Sequence, residues 1–252
     1  MSIRVETDGP VTTFVIDRPH ARNALDNASA AALARAFLAF DADEAQKVGV
    51  LTGAGGAFCA GADLKEMADG ATYQPWATAD DGPTAALLSK PVIAAVAGHA
   101  CAGGLGLALW CDIRIAEESA VFGVFSRRWG VPMSDGTTVR LPRLIGMGPA
   151  LDMLITGRPV GAAEARQLGL ASRVVPDGTS LAAARALAAD IAKFPQIAMR
   201  ADRASAHAQA GLPLAEALAR ETALSLDAKQ IEAAAGAARF RAGAGRHGSR
   251  DV

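Results

Sequence analysis

The chain is 252 residues long, 51% hydrophobic and 20% charged, which supplies apolar side chain for a large core and excludes global disorder. A formal net charge of -1 offers no general surface for a polyanion, so nucleic acid is excluded as the expected partner. The length fits one domain with an appendage, or two small domains.

The opening MSIRVETDG carries charges where a secretory leader needs an apolar run, so no leader is expected. Residues 3–6 and 11–16 alternate like two strands around Asp8-Gly9-Pro10, which predicts a hairpin. A polar loop, residues 17–25, leads to a predicted helix over 27–41. Residues 47–52 read as a short buried strand, and the glycine-rich run over 53–64 must bring backbone close to something. Residues 73–85 carry Pro75 and Pro83 and read as a loop, giving way to a short helix over 84–89.

The central stretch is VIAAVAGHACAGGLGLALWCD, residues 92–112. It reads as a buried strand, a loop of little bulk and a buried helix, with Gly103-Gly104 at the junction. Its glycines, His99 and the preceding Lys90-Pro91 mark a core strand and helix, so no membrane span is expected. First-turn amides lack helical acceptors, and glycine leaves them bare, so the junction can bind an anion or an oxygen becoming one. Residues 113–116 and 120–123 read as short strands, 125–136 as a loop, and 137–145, 150–155 and 162–168 as helices, with a strand over 172–175. From residue 181 the chain is Ala-rich and helical, broken at Phe194-Pro195 and Gly211-Leu212-Pro213. A β/α core over 1–195 and a helical region over 196–252 are the expected parts. Cys59, Cys101 and Cys111 lack CxxC spacing and stand among small or apolar residues, which predicts reduced core thiols in a cytoplasmic protein. No His, Cys or carboxylate cluster has metal-ligand spacing.

Five segments in one order resemble the crotonase, or enoyl-CoA hydratase/isomerase, superfamily: RPHARNAL at 18–25, FCAGADLKEM at 58–67, KPVIAAVAGHACAGGLGLALWCDIRIA at 90–116, RLPRLIGMGPALDMLITG at 140–157 and AEARQLGLASRVVP at 163–176. The resemblance implies an α/β fold, a spiral of ββα units with a C-terminal helical region that assembles as a homotrimer or a dimer of trimers. It implies an acyl-CoA substrate and no separate cofactor, CoA being part of the substrate. It assigns two backbone amides, of Ala62 and Gly103, to polarising the thioester carbonyl, with Ala60 and Gly104 allowing close approach. Ala24, Asp63 and Leu64 match substrate-contact positions, the last two near the adenine. Arg22 and Lys65 are candidates for the CoA phosphates, or solvated surface charges. Asp63 is also suited to cap a helix beginning at Leu64, and His99 is expected to be a packed or hydrogen-bonded histidine rather than a base. Arg239-Phe240-Arg241 lies where relatives contact CoA across a subunit boundary, and the Gly- and Arg-rich tail beyond departs from their usual ending.

The pattern breaks at the chemistry. The two hydratase glutamates map to Gly106 and Ser126, neither of which is a general base near neutral pH. Asp135, in the loop WGVPMSDG, is the candidate replacement as acid/base or nucleophile; it is equally suited to cap the helix from Thr137. Ser126 and Trp129 flank the vacated second position and are candidate acyl contacts, and Trp76, Phe122 and Phe125 are further candidate pocket walls. Three functions follow: an acyl-CoA lyase or isomerase using Asp135, a catalytically inactive acyl-CoA-binding or regulatory protein, and an aryl/acyl-CoA hydrolase or dehalogenase with Asp135 as nucleophile.

Overall fold

Strand β2 (Val11–Ile16) is buried at every position, as a strand covered on both faces must be, and it pairs antiparallel with β1 (Ile3–Asp8) across the expected hairpin. The computed structural model describes residues 2–72 and 74–244; the Gly- and Arg-rich tail from residue 245 lies outside the described residues. From β2 onward the neighbours in the sheet are parallel: β3 (Val48–Gly53), β4 (Val92–Val96), then β6 (Ile113–Glu117) and β9 (Arg173–Val175), in an order β1-β2-β3-β4-β6-β9. A second sheet holds β5 (His99–Cys101), β7 (Val121–Gly123) and β8 (Val160–Gly161), with β5 and β7 parallel. The chain passes between the sheets at Ala97-Gly98, where Gly98 takes φ +54 and a Cβ would lie 2.3 Å from the Gly56 carbonyl oxygen. Only glycine fits such a crossing.

Helix α1 (Asn27–Ala42) starts at Asp26, whose carboxylate accepts the Ser29 N–H at 2.7 Å, satisfying one of the donors a helix start leaves open. Its buried face brings Phe37 edge-on to Phe14 of β2, with ring centroids 4.8 Å apart, and stacked on Trp110 at 4.5 Å. Trp110 closes α3 (Gly103–Trp110), all of whose residues are buried; α2 (Leu64–Ala68) lies between. Sheet, α1 and α3 thus share one core. The cysteines are reduced and buried in this same interior.

Three local expectations are corrected. Residues 84–89 form no helix, because their polar groups have tertiary partners: the Thr84 N–H donates to the Trp76 carbonyl, the Ala86 carbonyl accepts the Trp110 indole N–H at 2.7 Å, and the Ser89 N–H donates to Asp41 at 2.9 Å. Residues 99–101 are a strand rather than loop, since β7 supplies a partner. Residues 125–129 wind into a 3₁₀ turn closed by Gly130 in the left-handed conformation.

The chain divides into two compact units, one ending at Ala188 and the other beginning at Ala189. In the second, helices Gln196–Ala208 and Leu214–Ala228 pack together. Both start at prolines, as the breaks at Pro195 and Pro213 predict, and the first is capped from a distance by Glu232, which accepts the Ile197 and Ala198 N–H groups at 3.1 and 2.8 Å. Leu214, Leu218 and Phe240 of this unit are exposed. No helix among the described residues is long and apolar enough to cross a membrane.

Candidate active site

The first glycine-rich loop is laid down like a strand between two neighbours. On one edge Cys59 pairs with Ala100 of β5, its N–H donating to His99 at 3.0 Å and its carbonyl accepting the Cys101 N–H at 2.9 Å. On the other, the Leu25 N–H donates to Gly61 at 2.8 Å and the Leu25 carbonyl accepts the Asp63 N–H at 2.9 Å. In a parallel bridge the facing residue exchanges bonds with the residues either side of its partner, so the N–H of Ala62 itself points away from Leu25. Beyond the bridge of 59 with 100, Gly61 comes up against the Gly103 nitrogen, and Ala62 and Gly103 both line one cavity. There β5 gives way to α3, and Gly103 presents a first-turn amide without a helical acceptor.

Close approach explains the residue types. A Cβ on Gly61 would lie 2.9 Å from the Gly103 nitrogen, and one on Gly104 would lie 2.0 Å from the Cys59 carbonyl oxygen. Ala102, the residue before α3, holds φ +48, a conformation costly for a side-chain-bearing residue, and its N–H is fastened to Gly123 at 2.9 Å. Arg22 and Asn23 also have positive φ. Asn23 is fully buried and clamps the loop, donating to the Ala54 and Ala57 carbonyls at 2.8 and 2.6 Å.

Ala62 and Gly103 open onto a cavity of about 310 Å³. Trp76, Ser126 and Asp135 are buried parts of its lining, and Arg22, Leu64 and Trp129 are exposed parts. Asp135 supplies the only carboxyl among the described lining residues. It is 4% exposed, and a Cβ on Gly106 would lie 2.5 Å from its Cγ. Its Oδ1 accepts the Thr137 N–H at 2.8 Å, and its main-chain carbonyl accepts Nη1 of Arg140 at 2.8 Å. Burial pushes its pKa above the ordinary carboxylate value, against the downward pull of the Thr137 bonds and the Arg140 charge. Asp135 therefore serves the turn into α4 (Thr137–Ile145) with its carboxyl and is itself part of the cavity lining. The Ser126 hydroxyl donates to the Met133 sulfur at 3.3 Å, a weak acceptor that cannot take its proton. Burial pushes the thiols of Cys59 and of cavity-lining Cys101 up to about 12, so neither is a thiolate nucleophile.

A sequence profile described as Enoyl-CoA hydratase/isomerase matches residues 6–241. The chain belongs to the enoyl-CoA hydratase/isomerase family. It is 37% identical to the enoyl-CoA hydratase EchA19 of Mycobacterium tuberculosis, over 88% of this chain and 86% of that one. It is 38% identical to a carnitinyl-CoA dehydratase of Salmonella arizonae, over 79% of this chain and 78% of that one. The crystal structure of enoyl-CoA hydratase EchA1 from Mycobacterium marinum superposes with a TM-score of 0.89 at 33% identity, covering 96% of both chains. The fold is thus the crotonase-like α/β fold with a C-terminal helical region.

Within this family frame the other sequence candidates separate. Gly104 stands against the Cys59 carbonyl, where the two loops touch, whereas Ala60 donates its N–H to the Arg22 carbonyl and lines the cavity. Asp63 caps α2, accepting the Lys65 N–H at 3.1 Å, and pairs with Arg18 at 3.2 Å; it is not part of the main cavity wall. Ala24 is buried and its carbonyl accepts from Arg18, while Lys65 is exposed outside the lining. Phe122 is fully buried in the core rather than a cavity wall, whereas Phe125 and Trp129 do line the cavity. His99 is exposed on β5 and lines the cavity, against the expectation of a packed side chain. Asn23 and Arg140 escaped the sequence reading. The preference of Asn for left-handed backbone marked the first; the second sits on the helix that Asp135 introduces. No cluster of three His, Cys, Asp or Glu suited to a metal occurs among the described residues.

Proposed function

We propose that this protein is an acyl-CoA lyase or isomerase, with the Ala62 and Gly103 amides receiving the thioester oxygen and Asp135 moving the proton. The observation that carries the reading is the seat of the Asp135 carboxyl over Gly106. The space that a side chain at residue 106 would enter holds the Asp135 carboxyl. Removing a proton beside a thioester carbonyl puts negative charge on that oxygen, and two fixed donors in a water-poor site stabilise it, at roughly 3–4 kcal/mol for one donor.

A single carboxyl suits isomerisation best. It accepts a proton from one carbon of an unsaturated acyl chain, the double bond shifts through the enolate, and the same proton returns to another carbon, leaving Asp135 as it began. Hydration asks more, since water must lose a proton while the α-carbon gains one, and here one group has to serve both. CoA belongs to the substrate and the scheme uses no separate cofactor. The exposed apolar residues of the C-terminal helices support assembly as a trimer or a dimer of trimers.

Wild type and Asp135→Asn, assayed on 2-enoyl, 3-enoyl, dienoyl and aryl CoA thioesters, test the reading. Asparagine keeps the bond from Thr137 and cannot take a proton, so turnover falls by about 10²–10⁴-fold while thioester binding persists. Undiminished turnover removes Asp135 from the mechanism. Saturable binding without turnover by wild type identifies a binding protein, and a covalent mass increment on Asp135 after rapid quench identifies a nucleophile.

A further inference from the structure

We infer that Trp76 is the end stop of the acyl site, so that the cavity takes a short or compact acyl group. The inference rests on the reading of the cavity as a CoA-thioester site. It begins from where the indole lies: a Cβ on Gly103 would be 2.5 Å from Cζ3 and 2.9 Å from Cη2 of Trp76. The ring therefore stands beside the amide assigned to the carbonyl oxygen, and a chain extending from that carbonyl meets it early. The residue is only 6% exposed.

Trp76 is fastened from both sides. Its carbonyl accepts the Thr84 N–H at 3.2 Å, and the N–H of the next residue, Ala77, donates to Ser134 at 3.0 Å in the loop that carries Asp135. Gly82 packs on its main chain so closely that a Cβ there would lie 2.3 Å from the Trp76 oxygen. With its main chain held this way and its ring buried against Gly103, Trp76 is a wall, because a close-packed neighbourhood leaves the ring no second position at low cost.

Space lies beyond the wall. A separate cavity of about 90 Å³ shares Gln74 and Trp76 with the main one and is bounded on its far side by Ala30 and Ala31 of α1 and by Pro83. Trp76 and Gln74 thus partition about 310 Å³ from about 90 Å³. A hydrophobic pocket discriminates by roughly 10- to 200-fold for each methylene it accepts or refuses, so a partition at this point selects strongly on chain length.

Butyryl-CoA and decanoyl-CoA, which bind without double-bond chemistry, are titrated calorimetrically into wild type, Trp76→Phe, Trp76→Ala and the double variant Trp76→Ala/Ala31→Leu, each checked for a cooperative melt. Wild type prefers the four-carbon thioester. Trp76→Ala shifts the ratio of the two affinities toward decanoyl-CoA by about tenfold or more, Trp76→Phe shifts it less, and adding Ala31→Leu refills the opened space and returns the ratio toward wild type. An unchanged ratio in folded Trp76→Ala, or in Trp76→Phe should the alanine variant fail to fold, overturns the end stop while leaving the thioester reading intact. Failure of both thioesters to bind wild type overturns that reading and the end stop with it.

Discussion

The Asp135 carboxyl accepts the Thr137 N–H and lies against Gly106, which leaves the room for it. Any side chain at 106 would enter the space of the Asp135 carboxyl, so the two positions depend on each other. Because burial raises the Asp135 pKa in the folded state, the folded protein holds that proton more tightly than the unfolded chain does. The corresponding stability is present at low pH and is lost as pH rises through the folded-state pKa. The permanently neutral Asp135→Asn is therefore expected to melt higher than wild type, with a gap larger near about pH 8 than near about pH 5. A gap that does not change with pH would show that Asp135 titrates as an ordinary carboxylate. The same raised pKa places the rising limb of the wild-type pH–rate profile above the usual carboxylate range when the ionised form acts as base.

At the scale of elements, one arginine joins two helix starts. Arg18 reaches Asp26, the cap of α1, at 2.8 Å and Asp63, the cap of α2, at 3.2 Å, and its side chain is 13% exposed. Asp26 and Asp63 directly follow the bridged pair Leu25 and Ala62, so Arg18 ties together the two segments that hold the Ala62 amide. Arg18→Ala is expected to cost roughly 1–3 kcal/mol in denaturant unfolding, from bonds to charged groups left unmade, and to weaken thioester binding. Wild-type stability and affinity in this variant would show that Arg18 is merely solvated.

How much of this was legible follows from the range of each interaction. The hairpin, α1, α3 and the breaks at Pro195 and Pro213 are written in local pattern, and the close approach of backbone was readable at Gly103-Gly104. Residues 84–89 misled because the partners that replace a helical ladder, Asp41 and Trp110, are remote in sequence. His99 misled for a related reason: a strand of three residues is defined by its neighbour β7, and the face left open to the cavity has no local signature. That the Asp135 carboxyl lies against Gly106 appears only where α3 and the loop before α4 meet.

For the molecule as a whole, Leu214, Leu218, Leu226 and Phe240 of the C-terminal helices are exposed, apolar surface of the kind a subunit interface covers. Sedimentation at micromolar concentration is expected to give about three times the 25.7 kDa chain mass, or twice that again; a stable monomer would contradict the proposed assembly.

In the proposed mechanism two main-chain nitrogens, of Ala62 and Gly103, serve one oxygen. A crystal structure with a bound saturated acyl-CoA tests it most directly. The expected result places the thioester carbonyl oxygen within about 2.7–3.1 Å of both nitrogens, with the acyl chain running toward Trp76 and the Asp135 carboxyl beside it. A thioester bound with its oxygen near neither amide would contradict it.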